Sequence, residues 1–175
     1  NPKFLEALAE LLSREYGWQV TEKNICITNS SQTAFFYLIN MFSGGCEGSK
    51  KKRILFPLSP EYIGYADQSI DSDAFLHAEP KIVELDKYTF KYSINFDQIH
   101  IDDYVGAMCV SRPTNPTGNV LTDEEVSTLS ELAVQNDIPL IIDNAYGLPF
   151  PQIIFEDVTP VWNDHIIHCM SLSKL

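Results

Sequence analysis

The chain has 175 residues, 45% of them hydrophobic, which is enough for one domain with a sizeable core. Its 24 acidic against 12 basic residues give a formal net charge of −12, which argues against a nucleic-acid surface, because such a surface needs a basic face to neutralise phosphates. No secretory signal and no apolar run of membrane length is legible, so no membrane partner is expected.

Taken in chain order, helical and strand-like segments alternate. Residues 2–16 read as a helix with Phe4, Leu5, Leu8, Leu11 and Leu12 on one face and Gly17 as its stop. "NICIT" (24–28) reads as a short buried strand. "SQTAFFYLINMF" (31–42) reads as a helix capped by Ser30 or Ser31. "RILFP" (53–57) is a strand, and "YIGYADQSI" (62–70) has the look of a helix. Residues 71–104 are less regular, with "KIVELD" and "KYTFKYSINF" rich in strand formers. "YVGAMCVS" (104–111) is an apolar strand. "LTDEEVSTLSELAVQND" (121–137) opens on Thr122 with Glu125 three residues on, the pattern of a capping box. "IPLIID" (138–143) and "HIIHCMS" (165–171) are further strands. Apolar strands separated by helices predict an α/β fold, a three-layer αβα arrangement around a mostly parallel sheet. Neither a repeat nor a low-complexity linker interrupts the chain, so residues 1–175 are expected to be one unit.

The four cysteines, at 26, 46, 109 and 169, have wide, irregular spacing. Cys26, Cys109 and Cys169 lie in apolar runs and are expected to be small buried hydrophobes, which favours a reducing compartment. The histidines, at 77, 100, 165 and 168, show no ligand pattern, and no metal site is expected. The basic run Lys50, Lys51, Lys52 and Arg53 reads as a solvated loop, with an anion site the lesser alternative.

In a parallel sheet with helices on both faces, ligands bind beyond the carboxyl ends of the strands. The residues so placed are Ser30 and Ser31, the stretch 57–62, the stretch 112–118, the stretch 143–146, and Ser171 to Lys174 at the last strand. Each alone has an ordinary explanation. "NPTG" is a turn, Asp143 is a helix cap, Tyr62 is a packing residue and "SLSK" says almost nothing. Together they supply what pyridoxal 5′-phosphate demands: an amine for a Schiff base, an anion for the pyridine nitrogen and donors for a phosphate. Lys174 offers the amine and Asp143 the anion. Asn115 and Tyr146 can hydrogen-bond the ring phenolate oxygen. Ser171 and the turn Ser30-Ser31-Gln32, at a helix N-terminus, can hold the phosphate. Tyr62 can stack on the ring.

The segments "TNSSQTAF" (28–35), "PLSPEYIGY" (57–65), "SRPTNPTGNVLTDEE" (111–125), "IDNAYGLPFP" (142–151) and "SLSK" (171–174) cover most of the chain in order, and with them the sequence resembles the fold-type I pyridoxal-phosphate aminotransferases. The Arg-Pro-Thr-Asn-Pro-Thr-Gly form at 112–118 narrows the resemblance within that family. The resemblance implies an enzyme that moves amino groups between amino acids and 2-oxo acids in a ping-pong cycle, through an internal aldimine on Lys174. Lys174 would then carry the proton between the substrate α-carbon and the cofactor. It implies that Asp143 pairs with the pyridinium, that Tyr146 and Asn115 touch the phenolate oxygen, that Ser31, Gln32 and Ser171 bind phosphate, and that Tyr62 stacks. Where Ser30 stands the family often has Gly, so the geometry of that turn is in question. The resemblance further implies a cytoplasmic homodimer. It also implies a longer chain, of which these residues are a large-domain segment, with the small domain and the substrate-carboxylate arginine beyond it. Arg112 is expected to anchor its loop rather than bind substrate, and the Asn115–Pro116 peptide to be cis. Three other readings stay open: another pyridoxal-phosphate enzyme such as a β-lyase or a different aminotransferase, a ligand-sensing domain of a transcription regulator, and a plain α/β interaction domain.

Overall fold

The computed structural model describes residues 1–45, 50–147 and 158–174. Cys46, residues 148–151 of the "IDNAYGLPFP" segment and Leu175 lie outside them. Helix α1 (Pro2–Tyr16) starts with proline in its first turn, where the missing N–H costs nothing. It ends on Gly17 at φ 68°, whose N–H reaches back to Ser13 O at 3.0 Å. Helix α2 (Ser31–Phe42) is capped by Ser30, and helix α3 (Asp123–Gln135) by the full Thr122–Glu125 box. Glu125 does more than cap: it also accepts from Ser93 Oγ at 2.7 Å and Ile94 N at 2.9 Å, tying α3 to the segment before it.

Strands β1 (Arg53–Phe56), β2 (Phe75–His77), β5 (Val105–Ser111), β6 (Leu140–Asn144) and β7 (Ile166–Met170) form one parallel sheet in the order β2-β1-β5-β6-β7. A separate antiparallel hairpin joins β3 (Lys81–Glu84) and β4 (Phe90–Ser93). Side chains alternate along each strand. Met108 and Val110 of β5 therefore join Leu140, Ile142, Val126 and Leu129 in a core beneath α3. Ala107 and Cys109 join Phe35, Ile39, Ile141 and Cys169 in a second core beneath α2. The sheet is thus covered on both faces, and the three-layer expectation holds.

Two local readings are corrected. Residues 24–28 form no strand: Glu22–Asn24 make a 3-10 turn closed by Thr21 and Asn24, and the apolar residues after it find no strand partner among the described residues. Cys26 is accordingly exposed rather than buried, beside an exposed Ile27, whereas Cys109 and Cys169 are buried as expected. The helix expected at 62–70 is present as a 3-10 helix, Ile63–Gln68. Strand β2 is too short, at three residues, to stand out in the sequence.

Candidate functional site

The chain runs outward from β1 to β2, then returns to the other side of β1 for β5, β6 and β7. The order reverses between β1 and β5, and a crevice opens there beyond the strand ends. A cleft of about 320 Å³ lies at this point. It is lined by the cap and first turn of α2, by Tyr62, Gly64 and Tyr65, by Ser111, Pro113 and Asn115 after β5, by Asp143, Ala145 and Tyr146 after β6, and by Ser173 and Lys174 after β7.

Asp143 is the buried charge of the site, 8% exposed. Its Oδ2 accepts from the Tyr65 hydroxyl at 2.6 Å and its Oδ1 from the Ala145 N–H at 2.9 Å. Burial pushes its pKa up, and the two hydrogen bonds hold that rise back without cancelling it. Among the described residues no basic side chain forms an ion pair with it. Lys174 lines the same cleft, with Nζ 5.3 Å from the centre of the Tyr146 ring. Tyr146 thus meets the amine through its face, and the geometry allows a cation–π contact.

Ser30 caps α2 with its Oγ accepting from Thr33 N at 3.2 Å, while Ala34 N donates to Ser30 O at 3.1 Å. The N–H groups of Ser31 and Gln32, in the same open turn, have no intrahelical acceptor. Ser30 has φ −161°, extended backbone that any residue adopts, so glycine is not needed here. Tyr62 stands edge-on to Tyr65, ring centres 5.5 Å apart at 90°. Gly64 is held to its size by this ring: a Cβ there would lie 2.3 Å from Tyr62 Cε1.

Of the residues singled out in the sequence, Ser30, Ser31, Gln32, Tyr62, Asn115, Asp143, Tyr146 and Lys174 all line the one cleft. Ser171 does not. Its Oγ is 2.7 Å from Ser173 Oγ and accepts from Ser173 N, so Ser173 faces the cleft in its place. Arg112 is 5% exposed and fully engaged elsewhere: Nε donates to Leu121 O, Nη1 to Thr159 O and Nη2 to Asp123 Oδ1. It anchors the loop, as expected, and the Asn115–Pro116 peptide is cis.

Tyr65 and Glu61 escaped the sequence reading. Tyr65 could have been found from Tyr62, since residues three apart share a side of a 3-10 helix. Glu61 carries no such signal. Its carboxylate accepts from Ser111 N at 3.0 Å and from the Ser111 hydroxyl. Behind β6, His168 stacks on Trp18 with ring centres 4.9 Å apart, pairs Nδ1 with Asn144 Nδ2 at 2.8 Å and places Nε2 2.7 Å from Val161 O.

The family described as "Aminotransferase class I and II" matches residues 1–174. The chain is 53% identical over 173 residues to a valine–pyruvate aminotransferase of Escherichia coli K12, covering 99% of this chain and 42% of that protein. It is 26% identical over 161 residues to an aspartate aminotransferase of Pyrococcus abyssi. The crystal structure of the valine–pyruvate aminotransferase of Salmonella typhimurium LT2 superposes with a TM-score of 0.90 at 55% identity, over 98% of this chain and 42% of that one. A putative amino-acid aminotransferase of Psychrobacter arcticum 273-4 superposes with a TM-score of 0.92 at 48% identity, with the same coverage. The chain thus spans 42% of the length of the two valine–pyruvate aminotransferases and of the Psychrobacter protein, and 37% of the Pyrococcus one. With the match running from the first residue to Lys174 and the cleft at the reversal of its sheet, this chain belongs to the aminotransferase class I and II family.

Proposed function

We propose that the chain is the cofactor-binding large-domain part of a pyridoxal-phosphate aminotransferase that exchanges the amino group of L-valine with the oxo group of pyruvate, giving 2-oxoisovalerate and L-alanine in a ping-pong cycle. The observation that carries the chemistry is one cleft presenting a lysine amine and a buried carboxylate that has no ion-pair partner among the described residues. The residues present fit the cofactor. Asp143 would receive the pyridinium, the open turn at Ser30, Ser31 and Gln32 with Ser173 the phosphate, Asn115 and Tyr146 the phenolate oxygen, and Tyr62 the ring face. When bound, the cofactor withdraws electrons from the substrate α-carbon.

The chain's own residues supply the rest. Asp143, buried and fixed on both oxygens, favours a cation opposite it and so keeps a ring nitrogen protonated. Lys174 must be neutral to attack a carbonyl or take a proton; next to the Tyr146 ring it is held where the α-carbon proton is exchanged. The open turn of α2 presents N–H groups to an anion without a cationic side chain.

Valine and pyruvate as the substrate pair are supported by the likeness to valine–pyruvate aminotransferases over nearly the whole chain. A homodimer in the cytoplasm belongs to the same proposal. Cys26, Cys109 and Cys169 are in no disulfide among the described residues, which suits a reducing compartment. The test is a coupled assay of the full-length protein with a panel of amino donors and 2-oxo acids. Valine with pyruvate is expected to be the fastest pair. A tenfold preference for aspartate, or elimination in place of transfer, would contradict the reading.

A further inference from the structure

We propose that Glu61 is a positioning residue of the cofactor site, paired through space with Asp143, so that the two carboxyl groups together set the charge opposite the cofactor's ring nitrogen. The inference rests on the cofactor reading above. Glu61 leaves the loop after β1, yet its carboxylate closes on Ser111 at the end of β5, taking both the N–H and the hydroxyl. The contact therefore spans the crevice where the strand order reverses. Ser111 is in turn the register partner of Asp143 across β5 and β6. The carboxylate thus joins the loop to β5 at the residue that pairs with Asp143 of β6.

A loop staple alone would not need a charge there. The groups facing Glu61 are Asp143 from β6, Tyr65 from the 3-10 helix and Cys109 from β5, none of them cationic. Burial raises the pKa of Glu61 to about 7, with Asp143 adding to the rise and the Ser111 and Tyr62 hydrogen bonds opposing it. Among the described residues the one lysine lining the cleft is Lys174. Two neighbouring carboxyl groups with no ion-pair partner among the described residues do not both ionise readily, so at neutral pH the pair retains part of a proton. A pyridinium entering opposite Asp143 favours the ionised form of both groups, and the retained proton leaves to solvent. Cofactor binding and the charge of Glu61 are then linked.

Glu61→Gln keeps an acceptor for the Ser111 N–H and a partner for its hydroxyl, but cannot hold or release a proton. The experiment titrates the full-length apo-protein with pyridoxal 5′-phosphate by calorimetry in buffers of differing ionisation heat, from pH 5 to 9, while absorbance reports binding. Near pH 7 the wild type is expected to release about half a proton more per site than Glu61→Gln, with the difference fading toward both ends of the range. Equal proton counts with cofactor absorbance intact in both would overturn the proposal and leave Glu61 a staple. If the wild type itself gains no cofactor absorbance, the cofactor reading falls instead. Should the amide variant fail to fold, Glu61→Met gives the same proton comparison, and equal counts overturn the proposal there too.

Discussion

At the level of single residues, the site depends on placement more than on unusual chemistry. Asp143 is held by a phenol and a backbone N–H, so its oxygens cannot swing, and its uncompensated charge faces the cleft. Tyr65→Phe removes one of those two donors and leaves a buried carboxylate half-satisfied, which costs on the order of 1–3 kcal/mol. The expected result is weaker binding of pyridoxal phosphate by about tenfold, read by absorbance titration; an unchanged dissociation constant would show that Tyr65 does not orient Asp143. Gly64 acts by its smallness. Gly64→Ala places a Cβ 2.3 Å from the Tyr62 ring and forces the ring aside. Loss of a stacked face is worth about 0.5–1.5 kcal/mol. Cofactor affinity is therefore expected to fall by roughly threefold to tenfold, and an equal affinity in the same titration would take Tyr62 away from the ring.

At the level of elements, His168 on β7 ties the end of β6 at Asn144 to Val161 and to the Trp18 ring. Burial lowers its pKa to about 4. Protonation would also set an Nδ1 proton against the Asn144 amide donor. Because the folded value lies below the ordinary one near 6.5, its contribution to stability is complete above that pH and is lost as pH falls through about 4. Glu61 acts with the opposite sign over about 4.5 to 7, since its folded value is raised. The stability of the wild type relative to His168→Gln, measured by urea unfolding, is thus expected to decline between pH 6.5 and 4 by on the order of 3 kcal/mol. A gap that stays constant over that range would contradict the account. The elements themselves were unevenly legible. The long periodic ones, α1, α2, α3, β5 and β6, were readable because each pairs a period with a cap or an unbroken apolar run. Residues 24–28 misled because β-branched composition says nothing about whether a neighbouring strand exists to pair with. Strand β2 was hidden because three residues carry no period.

For the whole molecule, the sheet's reversal between β1 and β5 explains why segments far apart in sequence meet in one cleft. Most of the site was legible because the carboxyl ends of β1, β5, β6 and β7 could be placed from the sequence and each contributes to the lining, whereas Ser30 and Ser31 line it as the start of α2 and not as the end of a strand, and Ser171 does not line it. The orientation of Ser171 was not legible, since neighbouring serines in "SLS" are equivalent until the turn is formed. Glu61 was not legible because its partner, Ser111, lies 50 residues on. The central claim is that Lys174 and Asp143 serve one bound pyridoxal phosphate. Borohydride reduction of the full-length protein after incubation with pyridoxal phosphate, followed by peptide mass mapping, tests it most directly. The account predicts a phosphopyridoxyl adduct on Lys174, absent from Lys174→Ala. It also predicts that the adduct forms in Asp143→Ala while turnover falls by about 10²-fold or more. An adduct confined to other lysines, with Lys174 unmodified, would contradict it.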